Sequence, residues 1–599
     1  MATKTQTITI AAAVAVLCAC ADKQSQRTVD DTTAQVDPPA QLIEPALEEE
    51  TASAGKSVQS EPQRPIKGSD NSKVREIAAA KQMPKLTTEM ARELAAPDMH
   101  SMDAAAAYHA RPMASMAMKM SAPHGYTVDR ENYIHYDENG VKRVLEDPVS
   151  TFSIDVDTAA YANVRRMLVR EGRLPPSDAV RLEEMINYFS YSYEAPRNSE
   201  QPFSIHTEFA PAPWSDSHHL LQVGLKGFEP PAAERPDANL VFLVDVSGSM
   251  RDPNKLGLVK KAVRLLVNNM TAGDRIALAV YAGAAGTVLE STPGNEKAKI
   301  LQAIDGLEAG GSTHGSAGIK LAYALAEQYW IEDGINRVII ASDGDMNVGT
   351  VNIEALKDLI ERKREGGIAL TTLGFGAGNY NYALMEQLAD VGNGNAAYID
   401  SLKEAQKVLV NEMQSTLFTI ASDVKIQVEF NPAEVSEYRL IGYENRLLGR
   451  EDFNNDKVDA GDIGAGHTVT ALYEVVLAGS GGERIPGLRY QREAAPGAAR
   501  RGELAHVKLR YKTPGEKDSQ LLTRVVRADS GTGRSSDDLR FAASVAGFGQ
   551  LLQGGTFTGD WGYDDALELA RRSRGDDPHG YRGEFIHLIE LARSLSSKS

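Results

Sequence analysis

The chain has 599 residues, 42% of them hydrophobic, and a formal net charge of −18. That length and apolar content allow several globular domains, while the negative charge excludes a nucleic-acid partner and disfavours an anionic lipid surface, since both require a basic face. Only 2 cysteines are present, Cys18 and Cys20, so no internal disulfide braces the folded part and its stability must come from apolar cores.

Residues Met1 to Leu17 carry one early cation, Lys4, and an apolar stretch from Ile8 to Leu17, followed by Leu17-Cys18-Ala19-Cys20. This stretch is too short to span a membrane and reads as a secretion signal over residues 1–19. Leu17 at minus three and Ala19 at minus one resemble the cleavage pattern of bacterial lipoproteins, which makes Cys20 the expected lipidated N-terminus. The alternative is a plain secretory peptide with a stray thiol. Ala21 in place of Asp after the cysteine resembles proteobacterial sorting to the outer membrane, so the expected location is the cell envelope, on either the periplasmic face or the surface.

From 20 to 127 Gln, Glu, Ala, Pro, Ser and Thr dominate and no hydrophobic period persists. Such a stretch cannot bury enough apolar area to offset chain entropy and is expected to be a disordered tether. As a loose coil of about a hundred residues it would hold the folded part roughly 50 to 60 Å from the lipid. Met99, His100, Met102, His109, Met113, Met116, Met118, Met120 and His124 crowd its far end. Soft thioethers and imidazoles suit Cu(I), although a flexible linker rich in Ala and Met accounts for the same residues.

Ordered structure is expected from Val128, with helices in 128–200. Ala160, Val164, Met167 and Leu168 recur at helical spacing before Gly172 closes the segment, and a second helix is predicted from Ser177 to Tyr188. Asp155 and Asp157 are read as an N-cap rather than an ion site. Within 201–236, Phe203 to Phe209 and Leu220 to Leu225 alternate as antiparallel strands do.

The region 237–417 changes character. Leu240 to Val244, Ile276 to Tyr281, Val338 to Ala341 and Ile368 to Leu373 are short, continuously apolar runs, expected when helices cover both faces of a sheet. Amphipathic segments lie between and beyond them, at Asn254 to Met270, Glu296 to Leu307, Gly315 to Trp330, Ile353 to Lys363 and Tyr382 to Leu388. Alternating strands and helices imply right-handed crossovers and a mainly parallel, doubly wound α/β sheet.

Three loops of this region carry the chemistry. The first strand ends in Asp245-Val246-Ser247-Gly248-Ser249, a glycine-rich turn follows with Thr313, and a third strand ends at Asp343. An Asp-x-Ser-x-Ser turn alone is also an ordinary strand end. Three oxygen-rich loops in one α/β segment are more specific, because such folds bind ligands beyond the carboxyl ends of their strands. Three hydroxyls and two carboxylates suit Mg²⁺, with Mn²⁺ or Ca²⁺ as alternatives, and leave coordination positions for water and a visiting ligand.

After a helix from Lys403 to about Phe418, residues 418–530 alternate without intervening helices. Val424 to Phe430, His467 to Leu477 and Ala505 to Lys512 are the clearest strands and predict a β-sandwich. Because comparable strands precede the central domain, both flanks are expected to build one sandwich with the α/β domain inserted into it. The stretch from Asp452 to Asp462 resembles a calcium loop, but Lys457 stands where that loop needs its turn glycine, so it is read as a polar connection. Helices are predicted in 531–599 at Leu539 to Leu552, Asp564 to Arg572 and Gly583 to Leu595.

Asp245, Ser247, Ser249, Thr313 and Asp343 resemble the metal-ion-dependent adhesion site of von Willebrand factor type A domains. The stretches from Ser150 to Leu168 and from Leu174 to Phe189 resemble bacterial YfbK-type lipoproteins that carry such a domain, and the likeness runs from about Glu131 to the C-terminus. His314 departs from the small residue expected after Thr313. Members of this family have been called calcium-activated channel homologues, yet no segment after the first twenty residues approaches the roughly 20 apolar residues of a spanning helix.

The resemblance implies an envelope-anchored lipoprotein whose metal rim captures an Asp or Glu carboxylate of a partner protein, with no enzymatic activity. One alternative is a metal-dependent hydrolase with His314 as its base, although no Gly-x-Ser-x-Gly elbow is present. Another is an architectural protein whose metal only braces its own loops.

Overall fold

The computed structural model of the protein describes residues 131–597 apart from 199, 232–233, 312–314, 345–352, 379, 490–501 and 529–534. The signal, Cys20, the tether and its Met/His cluster therefore lie outside the described residues, as do Thr313 and His314.

In chain order the elements open with β1 (Lys142–Arg143), β2 (Val149–Ser153), α1 (Ala159–Arg166), α2 (Leu182–Asn187) and the hairpin of β3 (Phe203–Pro211) and β4 (His219–Gly227). The central domain follows as β5 (Ala238–Asp245), α3 (Leu256–Asn269), β6 (Arg275–Tyr281), β7 (Ala285–Pro293), α4 (Lys297–Asp305), α5 (Gly315–Gln328), β8 (Ile335–Ser342), α6 (Ile353–Glu365), β9 (Ile368–Phe375), α7 (Tyr382–Val391) and β10 (Ala396–Ile399). Beyond it lie α8 (Leu402–Gln406), α9 (Met413–Leu417), β11 (Thr419–Phe430), β12 (Val435–Ile441), β13 (Gly461–Gly464), β14 (Thr468–Leu477), β15 (Glu503–Lys512) and β16 (Gln520–Arg527). Three helices finish the chain, α10 (Asp537–Gln553), α11 (Tyr563–Arg572) and α12 (Tyr581–Ser596).

The central sheet has the order β10-β9-β8-β5-β6-β7, parallel except for β7, which runs antiparallel to β6. Both faces are covered, as the continuous apolar runs require. Leu240, Phe242 and Val244 of β5 pack with α3 and α4, while Val241 and Leu243 point to α5, α6 and α7. Strand order reverses between β5 and β8, the place where a doubly wound sheet opens a crevice at its carboxyl end.

Strands from both sides of this domain in sequence share two antiparallel sheets, ordered β1-β12-β14-β4-β3 and β13-β11-β15-β16, with β2 also paired to β11. Thus β4 pairs with β14, with Leu221 opposite Tyr473, and β2 with β11, with Phe152 opposite Ile426. One apolar core joins the two sheets, with Leu221, Val223 and Tyr473 on one side and Ile426, Val428 and Val507 on the other. The α/β domain is inserted into this sandwich.

The first and last helices form one body. Met185 and Ile186 of α2 share a core with Phe541 and Phe548 of α10, Leu567 of α11 and Phe585 of α12. Arg165, on α1, is buried at the seam between this body and the central domain, where it pairs with Asp400, with Glu404 at 2.7 Å and with Glu584 at 2.8 Å. Both neighbouring helices depart from the regular pattern expected for them. The α1 helix continues as a π-helical turn, Met167–Glu171, until Gly172 ends it at φ 63°, and a second π turn, Lys407–Asn411, separates α8 from α9.

Asp155 and Asp157 do not cap α1. Its N-cap is Thr158, which makes no side-chain cap hydrogen bond, and the N–H of Ala160 donates instead to Glu184 at 2.8 Å. Asp155 and Asp157 face Arg446 at 3.0 and 3.4 Å, and Asp390 of α7 meets the same guanidinium at 3.0 Å. Arg446, between β12 and β13, therefore clamps the sandwich to the central domain and to the start of α1. The stretch from Asp452 behaves as a polar connection, with the Lys425 ammonium donating to the carbonyls of Asp452 and Asn455 at 3.3 and 2.6 Å.

Removing one partner of a buried ion cluster strands the others in low dielectric. Arg446→Met, which keeps the stem, is expected to cost about 3 to 5 kcal/mol of unfolding free energy, measurable by urea denaturation. The buried carboxyls beside this cluster give stability a pH sign. Burial, with the charge of Glu444 adding to it, pushes Glu183 up to about 8, and burial pushes Glu386 up to about 7. A carboxyl raised in the folded state stabilises fully only below its ordinary range, and that contribution is lost as pH rises through its folded pKa. Unfolding midpoints should therefore fall between pH 6 and pH 9, and Glu183→Gln should flatten the fall by on the order of 2 kcal/mol.

Candidate functional site

Asp245 is the last residue of β5 and Asp343 follows the last residue of β8, so the parallel register that sets Val244 opposite Ala341 brings the two carboxylates to one rim. Both are fully buried. The Asp245 carboxylate is held from two sides. One oxygen accepts the backbone N–H of Ser247 at 2.8 Å, the other the hydroxyls of Tyr281 at 3.2 Å and Ser342 at 3.1 Å. Burial pushes its pKa up, the Ser247 N–H opposes this, and the charge of Asp343 adds to it.

The turn from Asp245 brings two hydroxyls together. Ser247 Oγ lies 2.8 Å from Ser249 Oγ, and a short 3₁₀ turn, Gly248–Arg251, drops Met250 into the core behind them. The glycine-rich loop is tied to this turn by backbone. Gly310 N–H donates to the Val246 carbonyl at 2.7 Å, and Gly248 N–H donates to the Gly311 carbonyl at 3.1 Å. Gly311 has φ 90°, and a Cβ there would sit 3.3 Å from the backbone nitrogen of Gly283, so the position favours glycine twice over. Thr313, two residues on, is outside the described residues.

A cation stands where the sequence reading placed none. Lys255, at the N-terminus of α3, reaches Asp343 Oδ2 with its ammonium at 2.8 Å. Its stem lies against Gly376, where a Cβ would sit 2.3 Å from a stem carbon and φ is 84°. A lysine at a helix N-terminus opposes the helix dipole, and that anomaly was the sequence signal for an acidic partner. Tyr281 and Ser342 were also missed as groups of the site, being hidden at the ends of apolar strands.

The described donors, two carboxylates and two hydroxyls, are all hard oxygens, a set that suits a small divalent cation and not a soft one. Neither Ser247 nor Ser249 is hydrogen-bonded to a histidine among the described residues. No described helix is long and apolar enough to cross a membrane.

Residues 239–412 match the family model of the von Willebrand factor type A domain, residues 127–222 one described as von Willebrand factor, and residues 415–595 one described as "Uncharacterized protein YfbK, C-terminal". The chain is 45% identical over 495 residues to "Uncharacterized protein YfbK" of Escherichia coli (strain K12), covering 82% of this chain and 85% of that protein. It is 27% identical over 255 residues to inter-alpha-trypsin inhibitor heavy chain H3 of Homo sapiens, covering 40% of this chain and 28% of the relative. Among solved structures, von Willebrand factor type A from Catenulispora acidiphila aligns with a TM-score of 0.36 at 17% identity, covering 64% of this chain and 89% of that one. With this degree of identity over most of its length, the chain belongs to the YfbK family of proteins that carry a von Willebrand factor type A domain.

Proposed function

We propose that the protein is an envelope-anchored lipoprotein that binds a partner protein through a divalent cation, Mg²⁺ by preference, at the carboxyl rim of its central sheet. Supporting this reading above all is the meeting of Asp245, Asp343 and the paired hydroxyls of Ser247 and Ser249 where strand order reverses. In the proposal these four and Thr313 hold the ion directly or through water. The bound ion would supply an electrophile that an Asp or Glu carboxylate of the partner completes.

This chain's own residues set the selectivity. The neutral hydroxyls of Ser247 and Ser249 would donate electron pairs without adding negative charge to that of the two aspartates, so they would not oppose an acidic ligand. The bonds from Tyr281, Ser342 and the Ser247 N–H fix the Asp245 carboxylate, so little reorganisation accompanies binding. Cys20 would carry the lipid, with the chain before residue 128 as the link to an outer membrane. The hydrolytic alternative needs His314 as base, a residue outside those described.

Two experiments test the proposal. Asp245→Ala and Asp343→Ala, each checked for folding by circular dichroism, should abolish Mg²⁺-dependent crosslinking to envelope proteins in living cells, and chelator should do the same to the native protein. Crosslinks unchanged by chelator would overturn the metal reading. Cys20→Ala should move the protein from the detergent phase to the aqueous phase in cloud-point partitioning, and native protein found wholly in the aqueous phase would remove the anchor.

A further inference from the structure

Lys255 has no place in an oxygen-only ion cage, yet it is nearly buried, fixed at its stem and bonded to one of the two carboxylates. We infer that Lys255 is a specificity-determining residue of the rim, an internal counter-ion that weakens the site's hold on its metal and makes the loaded site attract a carboxylate. The inference rests on the metal-dependent function proposed above.

The argument is one of charge and position. Asp245 and Asp343 together bring two negative charges into a place where both are fully buried, and in low dielectric each charge disfavours the other. The Lys255 ammonium, 2.8 Å from Asp343, cancels one of those charges and lets the rim fold before any ion arrives. A divalent ion then leaves the cluster with one net positive charge, which a single carboxylate brings to neutrality. Without the ammonium the same ion would only neutralise the two aspartates, and an arriving carboxylate would meet a neutral site and leave it negative. In a buried setting that difference decides affinity, because charges there are poorly screened.

Lys255 cannot easily swing out of this role. Its stem is wedged beside Gly376, where even a methyl group would collide with it, and its side chain is 7% exposed. It also begins α3, whose Leu258, Val259 and Ala262 are buried in the core. The ammonium is therefore held in place by packing as well as by charge.

The test uses the full chain with Mn²⁺ as metal probe and acetate as carboxylate probe, both followed by electron paramagnetic resonance. Lys255→Met keeps the stem length and removes the charge. It is expected to bind Mn²⁺ about tenfold tighter than the native protein, and the loaded variant to bind acetate about tenfold more weakly. Lys255→Arg should keep both constants within about threefold of native. Lys255→Gln, a second neutral variant, repeats the measurement should Lys255→Met fail to fold. Equal or weaker Mn²⁺ affinity in the neutral variants, or unchanged acetate affinity, overturns the role of Lys255 while leaving the metal rim standing. Native, folded protein that binds no Mn²⁺ overturns the rim itself, and with it this inference.

Discussion

Two carboxylates buried side by side at the ends of adjacent parallel strands are the costliest feature of this molecule, and much around them serves to make them tolerable. An unpaired buried carboxylate would lose several kcal/mol of hydration. Asp245 is met by a backbone N–H and two hydroxyls, one from each neighbouring strand end. Asp343 is met by an ammonium brought over from the start of α3. Satisfied in this way, the pair can exist within a folded rim, and the turn that carries Ser247 and Ser249 is drawn over it by the backbone bonds to Gly310 and Gly311. The rim's geometry is thus set by strand register and main chain, which side-chain motion cannot easily disturb.

Insertion into the sandwich adds a second level of constraint. The central domain is entered from β4 and left into β11, one strand in each sheet, so both of its connections are anchored in a shared core. Arg446 adds an ionic clamp to α7, and Arg165 adds another to the segment that follows β10. Interfaces between domains of one chain are usually polar and mobile. Here two buried guanidinium clusters and two covalent crossings act together, which ties the domain's orientation to the rest of the body.

Much of this was legible in the sequence wherever one physical signal dominated. The four apolar runs from Leu240 to Leu373 lie within β5, β6, β8 and β9, and the five amphipathic segments match α3 to α7 within a few residues, because burial on both faces leaves no competing pattern. The strands β1, β2, β7, β10, β12, β13 and β16 were not read, and the first two join the sandwich from a stretch expected to be helical. β16 shows why, since Gln520 to Val525 are exposed or partly exposed and only Val526 is buried, so the alternation that betrays a strand is absent. The expected single helix near Lys403 and the N-cap at Asp157 failed for another reason. Both lie at seams, where Arg165 and Arg446 draw the backbone and its carboxylates toward partners more than two hundred residues away, and local propensity has no knowledge of those partners. At the rim, Asp245, Ser247, Ser249 and Asp343 were found by residue type and spacing, whereas Lys255 was passed over because helical periodicity assigned it to the start of an amphipathic segment.

The polarity of the parallel sheet then determines which way the rim looks. Ile335, Asn336 and Ala369, at the starts of β8 and β9, line one cavity together with Thr419 and Asp462 of the sandwich, so the sandwich abuts the amino ends of these strands. Asp245 and Asp343 lie at the opposite, carboxyl ends of the parallel strands β5 and β8, roughly 25 Å away for a strand of this length. The sandwich therefore backs the domain without covering the carboxylate rim. Glu131, the first described residue, sits at that far end too, its carboxylate accepting the N–H of Gly378 in the loop beyond β9 at 2.9 Å. Next to that loop, Gly344 lies so close to Asn381 that a Cβ would meet its backbone nitrogen at 2.4 Å. The first described segment and the carboxylate rim thus share one face of the central domain.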